Sequence, residues 1–289
     1  MLTTRTGGFP IGFRQGWTEW FKDLSGMLAF AKSENLGVVD LGGDARPHLS
    51  QVVGEGFRVG SVDLQAWQGL MANTPDDLQK TLDLNATYIA DCCRHGAKNF
   101  FAVMLPADPS KPRQENLDLL IPALNQLAAI LDEHDGKLVI EGWPGQGALC
   151  CTPESYRQVL SATPKCIGIN FDPSHMIRMG IDPHRFLAEF ADRVYHVHGK
   201  DCFIDREALQ EYGWEQPATS AKSHDFGTAV WRYTIPGYGE SNWPLIFSEL
   251  EKAGYQGAVS IELEDQNFNG TETGEKLGIR LGASILAAS

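Results

Sequence analysis

Four short apolar runs in the second half of the chain each close on a side chain that can bind a metal ion. KLVIEGW reaches Glu141, IGINFDPSH reaches Asp172, VYHVHGKD reaches His198, and AVSIELED reaches Glu262. If these runs are strands, successive side chains point to opposite faces. Leu138 and Ile140 then share one face, and Val139 and Glu141 the other. Ile167, Ile169 and Phe171 oppose Asp172, while Val259, Ile261 and Leu263 oppose Glu262. The apolar faces would pack on helices, and the polar tips would point the other way, into a shared interior. Three carboxylates crowded in a low dielectric repel one another strongly. A divalent cation is the simplest way to stabilise them. Two Glu, one Asp and one His form a hard, mostly oxygen donor set. It suits one Mn2+ or Mg2+ ion and tolerates Co2+, Fe2+ or Zn2+. It is not a thiolate zinc site.

Such convergence needs a fold that gathers strand ends into a ring. Eight candidate strands run along the chain: Pro10–Arg14, Gly37–Leu41, Arg58–Asp63, Lys98–Met104, Lys137–Glu141, Ile167–Asp172, Val194–His198 and Ala258–Glu262. Helical patterns alternate with them: Thr18–Glu34, Pro75–Arg94, Gln114–His134, two starting at Thr152-Pro153 and Asp182-Pro183, Trp243–Ala253 and Gly274–Ala288. Thr74-Pro75 and its two counterparts place a capping oxygen before a proline at the first helical position. Repeated βα units imply a parallel sheet, here an α/β single (β/α)8 TIM barrel spanning residues 1–289. The alternative is an open doubly wound sheet, but no GxGxxG follows an early strand. In a barrel the strand C-termini form one ring, where active sites of this architecture sit. Two stretches depart from the alternation. Ser50–Gly56 is short for a second helix. Residues 201–242 are long and aromatic, with Trp214, Trp231, Tyr233 and Tyr238, and read as an ordered lid over the barrel mouth.

Composition bounds the partners. The 289 residues are 43% hydrophobic and 21% charged, as in ordinary globular proteins. There are 24 basic and 37 acidic side chains, a net charge of −13, which argues against nucleic acid and against anionic lipid. No stretch approaches the roughly 20 apolar residues of a membrane span. The opening MLTTRTGGFPIGFRQGW lacks a signal pattern, so a cytoplasmic location is expected. The six cysteines include no CxxC and are expected to be reduced and structural.

Taken in order, VIEGW, FDPSH, HVHGKD and SIELED resemble the xylose-isomerase-like TIM-barrel superfamily, the sugar phosphate isomerase/epimerase group. The likeness covers nearly the whole chain and is strongest from Lys137 to Glu264. WRYTIPGYGESNWPLIFSELEKAGYQGAVSIE adds the group's PGxGxxxW turn. The resemblance implies that Glu141, Asp172, His198 and Glu262 hold one divalent metal. It implies that His175 reaches a substrate hydroxyl or carbonyl oxygen. It also implies that Glu141 and Glu262 are the paired acid and base on opposite faces of a sugar or related polyhydroxy ketone. The chemistry is independently sensible: a proton beside a carbonyl is weakly acidic, and stabilising the enediolate lets one carboxylate remove it and another acid return it. Loss of a β-hydroxyl from the same enediolate would make the protein a dehydratase, acting on a keto-sugar or an inosose. A non-catalytic sugar-binding barrel is the alternative of another class, and such a barrel would be expected to have lost the ligands. Two departures matter. Relatives that epimerise free ketoses carry a Glu six residues beyond the strand-five ligand, where this chain has Gly147. The three-zinc endonucleases of the superfamily use histidines on early strands, whereas His48 is the only histidine before His95.

Other residues are weighed individually. Lys200 is a candidate for a substrate oxygen or phosphate, Arg232 for binding substrate from the lid, and Trp143 for stacking on a sugar face. Trp17 and Trp67 are candidate pocket walls. Glu264 is the rival ligand on strand eight. His196 is read as a packed histidine, His224-Asp225 as loop polarity, and GTETGEK as a helix start without phosphate-loop spacing. The expected partner is a small carbohydrate, with a homo-oligomer possible.

Overall fold

The computed structural model describes all 289 residues. Its strands are β1 (Ile11–Arg14), β2 (Val38–Leu41), β3 (Arg58–Asp63), β4 (Asn99–Val103), β5 (Lys137–Glu141), β6 (Ile167–Phe171), β7 (Val194–Gly199), β8 (Asp201–Ile204), β9 (Trp231–Thr234) and β10 (Val259–Ile261). Eight of them pair in parallel and close into a barrel, because β1 bonds both β2 and β10. Closure leaves no free sheet edge. Helices follow the barrel strands, so the chain folds as a (β/α)8 barrel. The apolar alternate residues that the sequence assigns outward, such as Leu138, Ile140, Ile169 and Phe171, are fully buried in one hydrophobic core.

The helix starts follow their local chemistry. Thr74, Thr152 and Asp182 each accept a backbone N–H of the first turn, and each is followed by proline. Two expectations need correcting. The pattern over Thr18–Glu34 is two helices, Glu19–Lys22 and Leu24–Ser33, because Asp23 breaks the first and caps the second through Gly26 N. The second helix starts earlier than Ser50 and runs Arg46–Gly54, with Pro47 in its first turn.

The 201–242 insertion is ordered. β8 and β9 form a two-stranded antiparallel sheet, joined through a helix at Arg206–Tyr212. Its root is a buried carboxylate. Asp201 Oδ1 accepts the amides of Cys202 and Ser241, and Oδ2 accepts the amide of Gly237. Gly239 passes so close that a Cβ there would lie 2.4 Å from Asp201 Oδ1 and 2.5 Å from the Cys202 carbonyl oxygen. That close approach explains the second glycine of PGYG.

Candidate metal centre

The four strand-end donors converge. Glu141, Asp172, His198 and Glu262 each offer one ligand atom, and these atoms all lie within 4.8 Å of one another. They come from positions 121 residues apart in the chain, gathered by adjacent barrel strands. Glu141 ends β5, and His198 lies near the end of β7. Asp172 and Glu262 each lie one residue past β6 and β10.

Asp172 shows how one carboxylate serves two masters. Its Oδ1 caps the following helix, accepting Ser174 N at 2.8 Å and Ser174 Oγ at 2.6 Å. Its Oδ2 is buried and accepts no hydrogen bond. Glu141 Oε1 accepts Asn170 Nδ2 at 2.8 Å and lies 2.6 Å from His198 Nδ1. Glu262 Oε1 is 3.3 Å from Arg14 Nε, while its Oε2 is 3.4 Å from His198 Nδ1 and pairs with the Lys200 ammonium. Beneath them, Asp40 Oδ1 accepts Ser61 N and Ser260 Oγ, and its Oδ2 lies 2.7 Å from His196 Nε2 and 3.7 Å from His198 Nε2. His198 is therefore oriented with Nδ1 toward the carboxylates and Nε2 toward Asp40. At 3.7 Å Asp40 faces Nε2 without a hydrogen bond, so the Nδ1 contact to Glu141 is the one that orients the ring.

Electrostatics keep the two glutamates ionised. Burial pushes the Glu262 carboxyl up, but Lys200, His198 and Arg14 outweigh it and hold the group well below the ordinary carboxylate range. Burial and Glu262 both raise Glu141, and His198 and His175 more than reverse that. In turn, burial would lower His198, but Glu262 and Glu141 push it well above the usual imidazole value. Lys200 is likewise raised, against burial, by Asp172, Glu262 and Glu264.

These residues fit a divalent cation. Two buried carboxylates, a half-buried one and an imidazole meet within the span of one coordination sphere, and Asp172 Oδ2 accepts no hydrogen bond although the Lys200 ammonium lies 3.2 Å away. Glu141, Asp172, His198 and Glu262 would hold the ion.

The other expected site residues divide. His175 belongs: its Nε2 is 3.3 Å from Glu141 Oε2 and 3.4 Å from Asp172 Oδ2. Its Nδ1 is 2.6 Å from the Tyr233 hydroxyl, which accepts Arg178 Nη1 at 2.6 Å. Lys200 belongs too, fully buried, with Glu264 Oε2 at 3.0 Å and Asp172 Oδ2 at 3.2 Å. Glu264 thus pairs with Lys200 and is outside the converging four. Arg232 does not join them. Its Nη1 pairs with Asp265 Oδ1 at 3.2 Å, and its guanidinium packs on Phe203. Trp143 does not join them either; its indole folds over Gly145 of its own loop. His196 is buried against Asp40, as a packed histidine should be.

Several contributors escaped the sequence reading. Arg14 and Asp63 end β1 and β3 and form a 2.7 Å ion pair. They carry the same strand-end signal as the four ligands. The Phe101 ring of β4 packs against the Arg14 guanidinium, 4.4 Å from its centroid, and against the His198 ring at 5.4 Å. Asn170 lies opposite Glu141 in the β5–β6 register. Tyr233 carries no such signal, since it reaches His175 from the insertion. Beside Glu262 opens a cavity of about 440 Å3, whose wall includes Arg14, Trp17 and Asp63. Of the four converging residues, Glu262 alone lines it.

Fold and site together define a parallel (β/α)8 barrel with a metal-competent acidic cluster at its C-terminal mouth. The chain belongs to the xylose isomerase-like TIM barrel family, which it matches over residues 46–286. It is 33% identical over 153 residues to the uncharacterized protein YfiH of Bacillus subtilis (strain 168), covering 52% of this chain and 46% of that one. It is 28% identical over 151 residues to an inosose dehydratase of Geobacillus thermodenitrificans (strain NG80-2), covering 52% of this chain and 48% of that one. The chain therefore spans about half the length of these curated relatives. Its backbone superposes on a sugar phosphate isomerase/epimerase from Parabacteroides distasonis with a TM-score of 0.70 at 14% identity, covering 100% of this chain and 99% of that one. At that identity the likeness is one of fold.

Proposed function

We propose that the protein is a divalent-metal-dependent isomerase or epimerase of a sugar or related polyhydroxy ketone, with Glu262 as the base. The observation that carries this reading is the position of Glu262. It is one of four converging donors and also lines the cavity. A ligand there would present its C–H next to a carboxylate that Lys200, His198 and Arg14 keep ionised. A bound divalent ion would supply electrostatic stabilisation of negative charge developing on the substrate oxygens. Glu262 removes the proton beside the carbonyl. His175, with Nδ1 fixed by Tyr233 and Nε2 facing the carboxylates, is placed to donate to a substrate oxygen. Glu141, bonded to Asn170 and His198, is the second acid/base group. The test is exchange of the substrate C–H for deuterium in D2O with Mn2+ present. Exchange in the wild type and its loss in Glu262→Gln are expected; equal exchange in both would remove the assignment.

A second reading is dehydration of a keto-sugar or inosose. The 28% identity to an inosose dehydratase supports it, as does the Lys200 ammonium beside Glu262, a proton source for a departing hydroxyl. Both readings share the first proton transfer. An enone or dione product absorbing in the ultraviolet would select the second.

A further inference from the structure

His175 and Arg178 lie three residues apart on the helix Pro173–Arg178, the spacing that puts two side chains on one helix face. Both reach the same atom. The Tyr233 hydroxyl oxygen, brought from the insertion by β9, lies 2.6 Å from Arg178 Nη1 and 2.6 Å from His175 Nδ1. His175 and Tyr233 are buried. The inventory of donors then fixes the direction of each bond. A guanidinium has donors and no acceptor, so Arg178 gives a hydrogen to the phenol oxygen. The phenol has one hydrogen of its own, and His175 Nδ1 is the other hydrogen-bond partner of that oxygen. The reverse arrangement, Nδ1–H donating to the oxygen, would leave a buried O–H with no acceptor. The phenol hydrogen therefore goes to Nδ1, and the neutral imidazole carries its hydrogen on Nε2.

A rival donor stands at the other end of the ring. Lys200 Nζ is 3.5 Å from His175 Nε2 and favours the opposite form, in which Nε2 is bare. That contact is long, and Lys200 already faces Asp172, Glu262 and Glu264. The two 2.6 Å bonds at Tyr233 outweigh it. With its hydrogen on Nε2, His175 faces Glu141 Oε2 at 3.3 Å and Asp172 Oδ2 at 3.4 Å as a donor. Arg178 is itself held from two sides. Its Nη2 donates to the Pro144 carbonyl at 3.3 Å, in the loop after β5, and its guanidinium lies 4.4 Å from the centroid of the Trp231 ring. Arg178 bonds to none of the four converging donors and reaches the centre only through Tyr233.

We propose that Arg178 is a positioning residue: by occupying the Tyr233 hydroxyl oxygen it turns the phenol hydrogen onto His175 Nδ1 and holds His175 in the Nε2–H tautomer, the form that can donate to a substrate oxygen. The value of that donor rests on the function proposed above; the tautomer itself does not. The test is a long-range 1H–15N correlation spectrum of the Mg2+-loaded protein with 15N-labelled histidine, the His175 signals being those lost in His175→Gln. In the wild type, Nδ1 should show the shift of an unprotonated nitrogen and Nε2 that of a protonated one. Arg178→Met keeps the length of the side chain and removes the donor. The phenol oxygen is then free to accept, Lys200 acts on Nε2 unopposed, and the His175 shifts should move toward the Nδ1–H form. Arg178→Lys restores a donor to the hydroxyl and should return the wild-type pattern, although it gives up the planar contact with Trp231. A wild-type ring with its hydrogen on Nδ1 would overturn the proposal whatever the variants do, including an Arg178→Met that does not fold. So would unchanged His175 shifts in Arg178→Met, or a change in Arg178→Lys as large as in Arg178→Met, which would make packing the only role. Failure of the proposed function looks different: the expected tautomer and its dependence on Arg178 are seen, yet no substrate C–H exchanges.

Discussion

At the scale of single residues, the centre depends on atoms that each have one assigned partner. Glu262 meets the cavity, and its loss should be felt in turnover more than in folding. Glu262→Gln keeps the volume and should lower kcat about 10^2–10^4-fold, the range of a lost general base. Circular dichroism should stay native. Tyr233→Phe tests the support of His175. Removing the hydroxyl leaves Arg178 Nη1 and His175 Nδ1 without this partner. A stability cost of about 1–3 kcal/mol is expected in urea unfolding, with kcat lowered and KM little changed. An unchanged kcat would free His175 from dependence on Tyr233. At this scale the sequence was readable wherever a polar residue closed an alternating apolar run. That signal identified Glu141, Asp172, His198 and Glu262. It marked Arg14 and Asp63 equally, since both close runs of the same kind, but their ion pair has no local trace. The neighbours Arg232 and Tyr233 show the opposite problem. Strand alternation sends one to Asp265 and the other to His175, and the choice of face depends on a pairing with β8 that spacing does not reveal.

Elements carry the next level of the argument. Strand ends place the donors, and helix starts are tied to them: Asp172 is at once the last inward residue after β6 and the cap of the helix at Pro173–Arg178. Cap-then-proline pairs were legible because their chemistry is local. The break at Asp23 was not, because the apolar period runs through it while its carboxylate caps Gly26. Between elements, Glu34 at the end of the Leu24–Ser33 helix holds Arg280 of the closing helix through bonds of 2.7 and 3.0 Å. The Arg280 hydrogen bonds hold Glu34 below the ordinary carboxylate value, against partial burial. A carboxyl lowered in the folded state stabilises above its unfolded pKa, and that contribution is lost as the pH falls. Glu34→Gln should therefore cost up to about 1 kcal/mol at pH 7, as for a partly exposed pair. The cost should shrink below about pH 4, where the wild-type carboxyl takes up a proton. A cost that is independent of pH would exclude the ion pair as its source.

At the scale of the whole molecule, barrel closure does what no single element can: it brings β5, β6, β7 and β10 to one rim. The alternation of β and α patterns made that architecture legible. The insertion's internal structure was less so, because its pairing is with itself. No helix is long and apolar enough to cross a membrane. All six cysteines are free, and burial pushes Cys166 up to about 11 and Cys92 up to about 12. Thiolates are the reactive form, so a disulfide reagent at pH 8 should label Cys92 and Cys166 slowly in the native protein and rapidly after unfolding. Fast native labelling at either would contradict their burial.

The claim on which the account turns is that four side chains share one cation. Chelator-treated protein, titrated with Mn2+ by calorimetry, tests it most directly. The account predicts one ion per chain, with Asp172→Asn and His198→Gln each weakening binding at least about tenfold and bound metal raising the melting temperature. Absence of any saturable site, or binding unaffected by both substitutions, would contradict it.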